Sequence, residues 1–205
     1  MANRKITVIG AGSVGATTAF ALTVRDIANE IVLVDINESK ALGEAMDIRQ
    51  CTPLLENPIN VYAGNYESAA GSDIVVITSG LPRKPGQTRI DLAQTNVNII
   101  KQIAPQIVKS CPDATYVIVS NPVDILTYVF HKVTNIPENR IIGTGTQLDT
   151  ARLRARIAEY LSVSQKNVHA YVFGEHGDTS FVPWSIAEIS TIKLADYKEL
   201  IKLHN

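Results

Sequence analysis

The sequence predicts an α/β protein in which a doubly wound parallel sheet is followed by the first part of a second, α+β domain. Three observations carry that prediction. Residues 6–9, 31–35, 74–78 and 115–120 are rich in Val and Ile at consecutive positions, as strands covered on both faces are. Helix-like stretches alternate with these runs, which suits right-handed crossovers between parallel strands. The first run leads directly into Gly10-Ala11-Gly12-Ser13-Val14-Gly15, and the second closes on Asp35.

Helices are expected over residues 14–28, 39–49, 91–110 and 123–133, with Val61-Tyr62 and Ile141-Ile142 as short further strands. In the third helix Val97, Ile100, Ala104, Ile107 and Val108 form an apolar stripe, and Pro105 predicts a kink or break. Beyond about residue 143 the texture changes. Residues 148–161 read as a helix, 167–173 as a strand and 191–203 as an amphipathic helix, with no further sheet to complete the domain. The expected division is residues 1–143 and 144–205.

The chain has 205 residues, a net charge of −1 and 45% hydrophobic content, enough for one cored domain and part of another. Near-neutral charge gives no footprint for nucleic acid or a membrane surface. Cys51 and Cys111 form no C-x-x-C pair, which suits a reducing compartment. Residues 6–24 lack charge and follow Arg4 and Lys5, so they superficially resemble a targeting segment. Three glycines, four threonines and a serine within them fit a strand, turn and helix instead. A cytoplasmic location is expected.

The glycine spacing has a chemical reading. Gly10 allows a tight turn, Gly12 lets backbone approach a pyrophosphate, and Gly15 lets the helix pack against the sheet. The N–H groups opening that helix face the phosphates. Asp35 stands where a carboxylate accepts hydrogen bonds from both ribose hydroxyls and repels a 2′-phosphate, which favours NAD over NADP. The competing reading is a glycine turn in an α/β protein without a nucleotide. Ligands of such sheets lie beyond the carboxyl ends of the strands, so Gly10, Asp35, Thr78-Ser79-Gly80 and Ser120-Asn121 should line one crevice.

Three segments carry reactive groups. Residues 81–89, with Arg83, Lys84 and Arg89, form a loop over that crevice, either a solvated surface or a lid closing on an anion. Asp149 and Arg152, spaced i, i+3, share a helical face. His176 lies in Gly174-Glu175-His176-Gly177-Asp178 on irregular backbone, where an imidazole can exchange protons near neutral pH. No second His or Cys lies at metal-ligand spacing. Taken together, His176 as acid/base, Asp149 setting its tautomer, Arg152 clamping a carboxylate and Arg89 polarising a carbonyl suit hydride exchange with a 2-hydroxy acid.

The segments GAGSVGATTA, VLVDI, KPGQTRIDLAQTN, SNPVDILTY, GTGTQLDTARLR and VHAYVFGEHGDTS, in that order, resemble the NAD-dependent L-lactate and malate dehydrogenase family, particularly its bacterial lactate dehydrogenase branch. The resemblance spans essentially the whole chain. It implies that Gly10, Gly12, Val14, Gly15, Asp35, Lys40, Tyr66, Gly80, Leu81, Val119, Ser120 and Asn121 contact NAD. It implies His176, Asp149 and Arg89 as catalytic residues, and Arg83, Arg89, Asn121, Asp124, Asp149 and Arg152 around a small 2-keto or 2-hydroxy acid. Arg154 and His169 occupy positions that bind fructose 1,6-bisphosphate in many bacterial members, and the family habit is a homotetramer.

Two departures follow. Arg83 stands where lactate enzymes usually carry glutamine and malate enzymes arginine, so its charge suits the second carboxylate of oxaloacetate over the methyl of pyruvate. Family members are also about half as long again, so the chain reads as C-terminally incomplete. The expected function is an L-lactate dehydrogenase. Malate dehydrogenase activity, a non-catalytic NAD-binding fragment and a subunit acting through oligomer contacts stand as alternatives.

Overall fold

A computed structural model describes residues 4–82, 86 and 89–197, the side chains at 89 and 90 excepted. The chain divides into two compact units, residues 1–143 and 144–205.

The first unit runs β1 (Lys5–Ile9), α1 (Ser13–Val24), β2 (Glu30–Val34), α2 (Glu38–Cys51), β3 (Asn60–Ala63), β4 (Ile74–Ile77), α3 (Arg89–Ser110), β5 (Thr115–Ile118), α4 (Val123–Val133) and β6 (Ile141–Gly143). All six strands are parallel, in the order β3-β2-β1-β4-β5-β6. The chain winds outward from β1 to β3 and then resumes on the other side of β1. A crevice therefore opens beyond the carboxyl ends of β1 and β4, where the winding reverses. Ile9 pairs with both Val34 and Ile77, and Ile77 with Ile118, so the strand ends that bear the loops are level.

Strand side chains alternate between two cores. Ile6, Val8, Ile31, Leu33, Val61 and Val76 pack with Ala19 of α1 and Ala41, Ala45 and Ile48 of α2. Ile9, Val32, Val34, Val75, Ile77, Tyr116 and Ile118 pack with Ile100 and Ile107 of α3 and Leu126 and Phe130 of α4. Each large aliphatic or aromatic side chain so buried contributes about 1.5–3 kcal/mol. The buried Thr7 hydroxyl is paired with that of Ser72 at 2.7 Å, so the polar interruption of β1 is satisfied.

Two expectations for this unit need correction. Helix α1 ends at Val24 rather than residue 28, because Asp26 takes a left-handed φ of 54° and Ile27 N–H turns back to Leu22 O. Pro105 does not break α3, which is helical from Arg89 to Ser110. Pro105 and Lys101, whose carbonyl loses its helical partner, both lie on the exposed side, where that carbonyl is open to solvent.

The second unit comprises α5 (Gln147–Leu161) and a small antiparallel sheet of β7 (Val168–His169), β8 (Glu188–Ile189) and β9 (Ile192–Lys193). Ala158, Val168, Ala170, Ala187, Ile189 and Leu194 form its core. The strand expected over 167–173 is limited to β7, with Phe173 making a separate bridge to Phe181. The helix expected from residue 191 starts later: 192–193 pair with β8, and residues 194–197 are helical.

At the amino-terminal edge of the larger sheet, Lys5 Nζ lies 3.0 Å from Glu30 Oε1, and the Tyr62 hydroxyl donates to the same oxygen at 2.5 Å. The Tyr62 hydrogen bond, opposed by burial and aided by Lys5, holds the Glu30 carboxyl below the usual carboxylate range. A depressed folded pKa stabilises above the unfolded value, about 4.3, and that stabilisation is lost as pH falls through the folded value. E30Q should therefore unfold about 1 kcal/mol more easily than the parent at pH 7. The gap should narrow as denaturant midpoints are followed down below about pH 4.

Candidate active site

The glycine turn between β1 and α1 is shaped by steric necessity. Gly10 has a φ of 105°, and a Cβ there would lie 2.8 Å from Thr78 Oγ1. A Cβ on Gly15 would lie 1.8 Å from the Gly10 carbonyl oxygen, a backbone atom with no room to yield. Gly12 differs: a Cβ there meets nothing within 4 Å, so its missing side chain leaves open space. Helix α1 begins beside that space without a side-chain cap or an acidic residue in its first turn, so it presents backbone N–H groups and the positive end of its dipole.

Asp35, immediately after β2, ties the turn to the next loop. Its Oδ2 accepts the Ala11 N–H at 2.6 Å and its Oδ1 accepts the Asn37 N–H at 2.8 Å. Each carboxylate oxygen retains a further lone pair for a ligand hydroxyl. Burial, then the Asp35 charge, push the Tyr66 phenol up. Val14, Ile36 and Leu81 follow three different strands on this edge, and their apolar side chains are exposed.

The loops after β4 and β5 are joined by Asn96 of α3, which is 2% exposed. Its Oδ1 accepts the Leu81 N–H at 2.9 Å, while its Nδ2 donates to Leu81 O at 3.3 Å and Asn121 O at 2.7 Å. Ser120 Oγ adds a bond to Ser79 O at 2.7 Å. Sequence reasoning missed Asn96. An Asn within a helix gives no signal beyond its low propensity, a weak hint that its amide is used elsewhere.

In the second unit, Asp149 sits in the first turn of α5, where the helix dipole favours its charge. His176 Nδ1 lies 2.5 Å from Asp149 Oδ2, with both side chains about a quarter exposed. A carboxylate can only accept, so in this contact Nδ1 carries the proton. Gly174, with a φ of 92° and a would-be Cβ 2.9 Å from Thr179 O, starts the loop. Reciprocal 2.9 Å bonds between Phe173 and Phe181 close its base. Arg152, 66% exposed, lies 3.9 Å from Asp149 Oδ1 in the expected i, i+3 pair.

The structure thus gathers Gly10, Gly12, Val14, Gly15, Asp35, Gly80, Leu81, Val119, Ser120 and Asn121 at one edge of the larger sheet. Tyr66 follows β3, and the exposed Lys40 and Asp124 lie in the first turns of α2 and α4. It brings Asp149, Arg152 and His176 together in the second unit. Arg154 donates from Nε to Ala170 O at 2.9 Å and stacks 4.6 Å from the Tyr171 ring centre, and His169 is exposed on β7. Arg83 and the Arg89 side chain lie outside the described residues.

Fold and turn together define a dinucleotide-binding α/β unit, accompanied by a unit that presents a histidine–carboxylate pair. Residues 4–143 match the family described as lactate/malate dehydrogenase, NAD binding domain, and residues 146–204 match lactate/malate dehydrogenase, alpha/beta C-terminal domain. The chain belongs to the lactate/malate dehydrogenase family. An L-lactate dehydrogenase of Clostridium botulinum is 50% identical over 193 residues, 94% of this chain and 60% of that relative. Among solved structures, the minor L-lactate dehydrogenase of Enterococcus mundtii superposes with a TM-score of 0.92 at 41% identity, covering 96% of this chain and 63% of that one. The malate dehydrogenase of Picrophilus torridus gives 0.91 at 38% identity, covering 98% and 65%. The chain spans 60% of the length of the Clostridium relative. Among the described residues, no helix is long and apolar enough to cross a membrane.

N96A should test the loop staple. It removes three part-buried hydrogen bonds and leaves backbone groups of two loops without this partner. Thermal unfolding should show a loss of about 2–3 kcal/mol.

Proposed function

We propose that this chain is the NAD-binding and acid/base portion of an L-2-hydroxy acid dehydrogenase, acting as an L-lactate dehydrogenase. The observation that carries the reading is the 2.5 Å His176–Asp149 pair in a chain whose other unit has the glycine turn of a dinucleotide site. The residues fit the nucleotide. The space beside Gly12 and the uncapped start of α1 suit a pyrophosphate. Asp35 suits a ribose, and exposed Val14, Ile36 and Leu81 suit flat ring faces.

When bound, NADH supplies the hydride. In this reading Arg152 holds the substrate carboxylate through its planar fork of donors. Arg89 polarises the ketone, and Asn121 and Asp124 complete the substrate contacts. During reduction the imidazolium form of His176, its Nδ1–H held by Asp149, gives the Nε2 proton to the ketone oxygen and becomes the neutral Nδ1–H imidazole, whose Nε2 takes that proton back during oxidation. The Asp149 carboxylate stabilises the imidazolium that precedes reduction and follows oxidation.

The lactate assignment rests on the name and identity of the Clostridium relative. A malate reading is favoured by Arg83 and by the likeness to the Picrophilus malate dehydrogenase. The proposal extends to a cytoplasmic homotetramer activated by fructose 1,6-bisphosphate at Arg154 and His169. Support for that site is the exposure of His169 and the Nη donors that Arg154 retains beyond its Nε bond.

Gly12 separates ligand space from packing. Its φ of −73° suits alanine, so G12A should leave stability within about 0.5 kcal/mol of the parent, yet fluorescence titration should show NADH affinity falling at least tenfold, about 1.4 kcal/mol. The deciding experiment is NADH oxidation by this chain with pyruvate and with oxaloacetate, compared as kcat/KM. Pyruvate should be faster, and H176N should lower the rate by about 10² or more while NADH still binds. Faster oxaloacetate turnover would make it a malate enzyme, and binding without turnover would make it a nucleotide-binding module.

A further inference from the structure

Helix α5 grips the chain leading to His176 with two threonines one turn apart. Thr146 occupies the N-cap, where a threonine hydroxyl ordinarily accepts a hydrogen bond from a first-turn N–H. It makes no such bond and donates instead to Val172 O at 2.6 Å. Thr150 Oγ1 accepts the Val172 N–H at 2.9 Å. Val172 belongs to none of the strands, so no ladder supplies partners for its backbone, and these side chains take that place. Arg154, a further turn along, extends the row to Ala170 O at 2.9 Å.

The same first turn of α5 carries Asp149, whose carboxylate meets His176 four residues beyond Val172. The intervening loop is closed at its base by Phe173 and Phe181, with a 2.8 Å bond from Gly177 N–H to Glu175 O within it. The position of Val172 on α5 therefore sets where the imidazole falls relative to Asp149. The diverted cap points the same way: a bond that would serve the helix alone is exchanged for one that fastens the histidine-bearing segment to the carboxylate-bearing turn.

We propose that Thr146 and Thr150 are positioning residues for His176, fixing its reach to Asp149 and thereby the Nδ1–H tautomer. The importance of that tautomer rests on the dehydrogenase reading above; the geometry does not.

Ring nitrogen-15 shifts of the histidine-labelled chain, recorded with the imidazole neutral, report which nitrogen holds the proton, and H176N assigns the signal. The parent should show His176 mainly as Nδ1–H, whereas D149A should show the Nε2–H form usual for histidine in water. T150V, equal in shape but without an acceptor, should move the signal at least about half the way from parent to D149A, and T150S, which keeps the acceptor, should leave it in place. A T150V signal that coincides with the parent, or a parent already in the Nε2–H form, overturns the proposal. If T150V gives no dispersed spectrum, T146V and T146S are compared by the same criterion. NADH takes no part in the measurement, so absence of turnover counts against the dehydrogenase reading and leaves this one standing.

Discussion

The approach of α1 to the Gly10 carbonyl is the constraint on which the first unit depends. Only glycine at position 15 permits it, since any Cβ would overlap a backbone oxygen. Behind Gly15, Ala19 and Thr23 continue a buried stripe of small side chains, so the helix lies close along the sheet. That closeness aims the start of α1 at the turn beyond β1. The strand order then reverses beside β1, and the later strands deliver Thr78, Leu81 and Asn121 to the same edge. A wider helix–sheet spacing would keep the strand order and its crevice but carry the start of α1 away from the turn that lines it.

Both units solve one problem in the same way. Loop segments leave the regular sheets, and their backbone groups lose ladder partners. In the first unit Asn96 reaches from α3 to Leu81 and Asn121. In the second, Thr146 and Thr150 reach from α5 to Val172. Side chains on rigid helices thus do for loops what neighbouring strands do for a sheet, and the loops acquire fixed positions without becoming regular structure.

The parts legible in the sequence were those with a local signature. Consecutive branched apolar residues marked β1, β2, β4 and β5, the glycine spacing marked the turn, and the i, i+3 spacing marked Asp149 with Arg152. What stayed hidden depends on distant contacts. Pro105 reads as a kink or break because the sequence does not show that it falls on the exposed side of α3. Residues 192–193 look like the start of a helix until β8 is there to pair with them. Asn96 and Thr146 are invisible for a similar reason. Their residue types suggest local caps and turns, whereas their actual partners lie 15 to 26 residues away.

Asp35 holds a further consequence, for anyone wishing to redesign nucleotide preference. The carboxylate that suits a ribose is also the acceptor for the Ala11 and Asn37 N–H groups, so it braces the glycine turn from the neighbouring strand. Replacing it with a small neutral residue to admit a 2′-phosphate would slacken the very loop that receives the pyrophosphate in the proposed reading. A successful exchange has to bring its own acceptor for the Ala11 amide. The turn and the second strand's terminal residue are therefore a single engineering unit, to be altered together.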